Sequence, residues 1–155
     1  MISTEQQWLR TAPWAKVLEI YEAFCQGQSV PAQHRDENYA AVKAQWENAE
    51  TRGMSLEEAF DFCRQSSLQA PFVFNNANTF AAVAKSLVED WAKKLPPVEA
   101  TILRTTVTHY VAERVTKKEL LQIFRYLEPQ LSPAPQAAVE TPAIPAKRIV
   151  QPGAV

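Results

Sequence analysis

The choice between an all-helical chain and a mixed one turns on residues 98–114, VEATILRTTVTHYVAER. Threonine and β-branched aliphatics crowd this stretch, and such residues favour strands. Ile102, Leu103, Thr106, Val107 and Tyr110 nevertheless fall at the three-to-four spacing of one helix face. A strand here would stand alone, because no other part of the chain reads as its sheet partner. We therefore read 98–114 as helix.

Working outward, the segments on both sides agree with that reading. Thr116-Lys117-Lys118-Glu119 has the form of a capping box, with Val115 set to staple onto Leu120. Leu120, Leu121, Phe124 and Leu127 continue the final stripe, and Pro129 is expected to end it. Upstream, Phe80, Val83, Ala84, Leu87, Val88 and Trp91 form one uninterrupted stripe that Pro96-Pro97 stops. Asn76 or Asn78 is expected to cap it. Residues 69–76, QAPFVFNN, break the helical pattern, and Phe72, Val73 and Phe74 read as a buried loop or a very short extended piece.

The N-terminal half repeats the pattern. Ser55-Leu56-Glu57-Glu58 is a second capping box, with Met54 stapling onto Ala59 ahead of Phe60 and Cys63. Tyr39, Val42, Trp46 and Ala49 form a stripe that opens near Asp36 and ends at Gly53. Pro13 suits a first helical turn before Trp14, Val17, Leu18, Tyr21, Phe24 and Cys25, and Gly27 reads as the stop. Residues 4–10 read as a short helix with Thr4 and Gln7 as its capping box. The expected fold is all-α, a compact bundle of about five to six helices.

Composition divides the chain in two. All fifteen aromatics lie between Trp8 and Tyr126, whereas six of the eleven prolines fall at positions 129–152. A Pro/Ala-rich stretch without aromatics buries too little surface to offset its ordering entropy. The expected division is a helical domain at 1–128 and a flexible, disordered tail at 129–155. About 125 residues suffice for a core without metals or disulfides.

The same residues exclude much chemistry. Gly27, Gly53 and Gly153 are isolated, so neither a Walker loop nor a dinucleotide fingerprint exists. His34, His109, Cys25 and Cys63 lack zinc-site spacing, and the cysteines lie on apolar stripes, where they act as small hydrophobes. His109 and Glu113 share a helix face at i,i+4, which reads first as a solvated pair and only second as an acid–base couple. Asp36/Glu37 and Glu57/Glu58 fall in first helical turns, where negative charge suits the helix dipole. Trp14, Trp46 and Trp91 read as core, with Trp8 as the exception. We expect no catalysis, no metal and no cofactor.

Charge is asymmetric. Residues 1–100 hold nine Lys/Arg against thirteen Asp/Glu, a net of −4, while residues 101–155 hold seven against four, a net of +3. Arg114, Lys117, Lys118 and Arg125 are expected to form a basic face. In the tail, Lys147, Arg148, Ile149 and Val150 read as a short docking peptide, able to add a strand to a partner's sheet edge. The leading expectation is a non-catalytic helical protein-interaction module: an adaptor, assembly factor or regulatory subunit with a protein partner. The alternative is a small accessory subunit that binds nucleic acid through the basic face of residues 101–128. Lacking an apolar signal core or an uninterrupted apolar span, the chain is expected to be cytoplasmic and free of membrane contact.

Overall fold

Seven α-helices and one 3-10 turn make up the fold in a computed structural model that describes residues 2–131. The turn is Trp8–Thr11. The helices are α1 (Trp14–Gly27), α2 (Asp36–Glu50), α3 (Leu56–Gln69), α4 (Asn76–Leu87), α5 (Glu89–Ala92), α6 (Pro97–Val111) and α7 (Lys117–Leu131). The described residues hold no strand, only the isolated bridges Gln6–Met54 and His34–Phe72. The all-α reading is correct, including the disputed stretch. In α6 the residues Ala100, Leu103, Val107, Tyr110 and Val111 are buried on one stripe. Thr101 and Thr108 turn their hydroxyls onto the backbone carbonyls of Pro97 and Thr105, each at 3.0 Å. A threonine hydroxyl satisfied within its own helix removes part of the objection to threonine there.

Both downstream capping boxes form as read. Ser55 Oγ accepts from Glu58 N at 3.1 Å while Glu58 Oε1 accepts from Ser55 N at 2.8 Å. The Thr116–Glu119 pair closes in the same way at 3.1 and 2.9 Å.

Several boundaries differ from expectation. The Thr4–Gln7 box does not form. Gln7 instead spends its amide on the Thr51 carbonyl and on Arg10, and the short helix becomes a 3-10 turn four residues later. The stripe of residues 80–91 is cut at Val88, which leaves helical geometry at φ −107°, ψ 6° and separates α4 from α5. Just past that break Glu89 lies against Arg104 of α6, with an N–O distance of 2.6 Å. Pro129 lies inside α7, which continues to Leu131. A proline so near the C-terminus disturbs only the last turn, and Leu131 packs against the core. The tail expected at 129–155, with Lys147, Arg148, Ile149 and Val150, otherwise lies outside the described residues.

α4 is the hub. It packs against α1, α3 and α6, and Thr79, Phe80, Ala81, Val83, Ala84 and Leu87 are all buried on it. The loop that delivers it carries the central ring of the core. Phe72 is fully buried and stacks on Tyr21 with ring centroids 3.9 Å apart. It also faces Trp14 at 6.0 Å and Phe80 at 6.1 Å. Its backbone is held at both poles by one side chain: Phe72 N donates to Asn76 Oδ1 at 3.0 Å, and Asn76 Nδ2 donates to the Phe72 carbonyl at 2.8 Å. Asn76 thus clamps the loop rather than capping α4. The N-cap position belongs to Asn75, in the left-handed region at φ 59°. Of the two phenylalanines expected to plug the core, Phe74 is 38% exposed and does not.

The tryptophans are also redistributed. Trp14 and Trp46 are buried, the latter donating Nε1 to the Ala12 carbonyl at 2.8 Å. Trp8, read as the exception, is 8% exposed and meets the half-buried Trp91 edge-on at 5.8 Å. The N-terminus of α1 is capped from a distance, with Glu50 of α2 accepting from Trp14 N at 2.9 Å. A carboxylate there satisfies an open N–H and complements the helix dipole.

Two predictions follow from this packing. Truncating Phe72→Ala should cost about 3–5 kcal/mol in urea unfolding, against under about 1 kcal/mol for Phe74→Ala two residues away. Equal costs would show that the loop is not the plug described here. Ala70 closes α3 in the left-handed region at φ 51°, a conformation that penalises any Cβ. Ala70→Gly should therefore raise stability, by up to about 1 kcal/mol, where the same exchange inside a helix lowers it.

Candidate interaction surfaces

The four residues read as a basic face are not equivalent. Arg114, Lys118 and Arg125 are exposed, and Lys118 and Arg125 lie two turns apart on one side of α7. Lys117 points the other way. Its ammonium reaches α3, 3.0 Å from Glu57 Oε2 and 2.9 Å from Asp61 Oδ2. The basic face therefore has three free cations, because a helix places adjacent residues about 100° apart and sends Lys117 into the helix interface.

Around Lys117 three helices share one polar network. The Tyr110 hydroxyl of α6 donates a short hydrogen bond to Asp61 Oδ1. The Arg64 guanidinium lies over the Tyr110 ring at 4.9 Å and pairs with Glu113 at 3.6 Å. Partial burial works against the charged form of Lys117, but the carboxylates of Asp61 and Glu57 more than offset it and hold its pKa above the ordinary lysine value. Burial, reinforced by the bond to Asp61, raises the Tyr110 pKa as well. A permanently charged amine and a protonated phenol are poor nucleophiles. This chemistry suits a lock between helices.

Other residues weighed for catalysis are also occupied. Glu113 lies beyond α6 in the left-handed region at φ 65° and turns to Arg64, so it does not meet His109 as a helical pair. Cys63 is fully buried, and burial alone pushes its thiol pKa far upward. His34 stacks on Tyr39 with centroids 3.7 Å apart. Glu89 is held below the usual carboxylate range by its hydrogen bonds to Arg104. Among the described residues no three His, Cys, Asp or Glu side chains gather to hold a metal ion. None of the described helices is long and apolar enough to cross a membrane.

The surface feature that the sequence did not reveal lies between α2 and α3. Three hollows line up along this crevice. The first, about 200 Å³, is lined by Glu37, Asn38, Ala41, Val42 and Gln69. The second, about 280 Å³, is lined by Gln45, Asn48, Ala49, Arg52 and Phe62. The third, about 380 Å³, shares Arg52 and Phe62 with it and adds Glu58, Asp61 and Gln65. The first two hollows take residues from both helices, and the third lies between α3 and Arg52, just past the end of α2; the α2-side positions rise as the α3 positions fall, so the two walls run antiparallel. Over Glu37 to Arg52 the crevice spans ~22 Å at 1.5 Å per residue. Ala41, Gln45 and Ala49, the last of them shared with the buried stripe, recur every four residues along one wall, and that row is the only trace of the crevice in the sequence.

Two further hollows flank α4. One of about 350 Å³ is apolar, with Ile20, Ala23, Phe24 and Ala82. The other, of about 280 Å³, is lined by Lys85, Thr101, Arg104, Thr105 and Thr108. Comparison of the chain with protein-family models, with curated proteins and with solved structures gives no match.

The network has a definite pH signature. A pKa raised on folding contributes stability that is intact below the ordinary value and lost as pH rises through the folded one. Both Lys117 and Tyr110 shift that way, so unfolding free energy should fall as pH climbs past about 10. The fall should be visibly shallower in Lys117→Met/Tyr110→Phe, measured by urea titration at stepped pH. An unchanged slope would remove the network from the stability of the fold.

Proposed function

We propose that this chain is a non-catalytic helical interaction module, acting as an adaptor, assembly factor or regulatory subunit for a protein partner. The observation that carries the reading is the α2/α3 crevice: an open trough about four helical turns long, with a wall of small and amide side chains and an aromatic floor at Phe62. A trough between two antiparallel helices accepts the ridge of a third. The titratable groups nearest to catalytic form are committed to holding helices together, and this supports the same reading.

A second reading has its own observation. Arg114, Lys118 and Arg125 are exposed at one end of α6 and along α7, and three cations suffice for a few phosphate contacts. Under that reading the chain is a small accessory subunit on nucleic acid.

One experiment separates the two. Full-length protein, Ala41→Arg/Gln45→Arg and Lys118→Glu/Arg125→Glu would each be used for affinity capture from native lysate, with and without nuclease. Ala41 and Gln45 are both exposed, so the first variant fills the crevice without touching the core. The expected result is a nuclease-resistant protein lost with the crevice variant and kept with the α7 variant. Recovery that depends on nucleic acid and fails with the α7 variant would transfer the function to the basic face.

A further inference from the structure

Resting on the reading of the α2/α3 crevice as a docking site, we infer that its occupant is an amphipathic helix of a partner protein, with small or apolar residues along its seam and a basic residue near each end. The walls dictate the shape. An added strand needs a sheet edge, and the described residues contain no strand. What the crevice offers instead is a row of side chains spaced by four, Ala41, Gln45 and Ala49, with Phe62 and Gln69 of α3 across the trough. Rows of that spacing interdigitate with another helix. About fifteen residues of helix match the ~22 Å length.

The charge comes from the ends. Glu37 stands at one end and is exposed, and Glu58 stands at the other, also exposed. The middle is amide and alanine. Asp61 at the Glu58 end is already met by Lys117, and one oxygen of Glu58 is held by Ser55 N, so Glu37 and the second oxygen of Glu58 are the acceptors left to a partner. The one cation in the trough, Arg52, lies over the Phe62 ring at 5.9 Å. This placement shows that the ring face accepts a guanidinium, the chemistry a partner arginine would bring when it takes Arg52's place. Electrostatic complementarity of this kind selects the partner and its direction more than it sets affinity.

The test is selection from a phage-displayed library of helical 16-residue peptides on immobilised full-length protein. It would be repeated on Glu37→Lys/Glu58→Gln, where glutamine preserves the capping box of α3. Circular dichroism verifies that both proteins are equally helical. The expected result is enrichment of Lys or Arg near both peptide ends on the native chain. Those peptides should bind the variant roughly threefold to tenfold more weakly, the range for losing rim charges. The variant should in turn favour less basic or acidic ends. Absent enrichment, enrichment without charge preference, or equal binding to both proteins would overturn the inference. So would self-association of the native chain in sedimentation that Ala41→Arg/Gln45→Arg abolishes, since the occupant would then be a second copy. Failure here with capture still blocked by the crevice variant would leave the interaction module standing without this partner chemistry.

Discussion

The burial of Phe72 is the constraint on which the rest of the fold depends. Its ring is the meeting point of α1, through Tyr21 and Trp14, and α4, through Phe80. A ring can occupy that place only if its own backbone, which belongs to a loop, leaves no polar group stranded inside. Asn76 satisfies both poles. The neighbouring Arg35 N and Val73 N bond to Pro71 O and Gln33 O, at 2.8 and 3.0 Å. The 31–35 segment is itself fixed because the Tyr21 hydroxyl both donates to and accepts from Gln33 at 2.9 Å. Two loops with no helical hydrogen bonds of their own are thereby sealed against one aromatic face. α4 emerges from that seal already aimed at α3 and α6.

That arrangement also explains how much could be read from the chain. Helix existence followed from apolar spacing, because burial of one stripe is a local rule that each segment obeys separately. The capping boxes at Ser55 and Thr116 were legible for the same reason, since both partners lie within four residues. The failures have a common origin in contacts distant along the chain. Nothing near Val88 announces a break, and Glu89 just beyond it pairs with Arg104 fifteen residues on. Trp8 is buried by Trp91, which no periodicity could foresee. Lys117 and Lys118 look alike in sequence and part company only because one of them faces α3.

The surfaces divide in the same way. Of the candidate residues chosen by charge, Lys118 and Arg125 are where a helix wheel places them, and Arg114 is exposed in the turn between α6 and α7. The crevice between α2 and α3 was not legible, because it is a property of how two helices fail to close on each other. Alanine and the amides in its wall carry no signal alone. The polar network beside it is the kind that specifies one arrangement of helices: each member is satisfied, and each member binds to a different helix. Its net contribution to stability is small beside the aromatic core, but it fixes where α7 can lie.

Asp61 belongs to both systems. It lines the crevice beside Glu58 and Phe62, and it holds Lys117 and Tyr110 on the other side. A carboxylate divided in this way ties the crevice wall and the last helix to a single residue. One anionic side chain thus serves as crevice wall and as anchor of the last helix, so its loss would alter both at once.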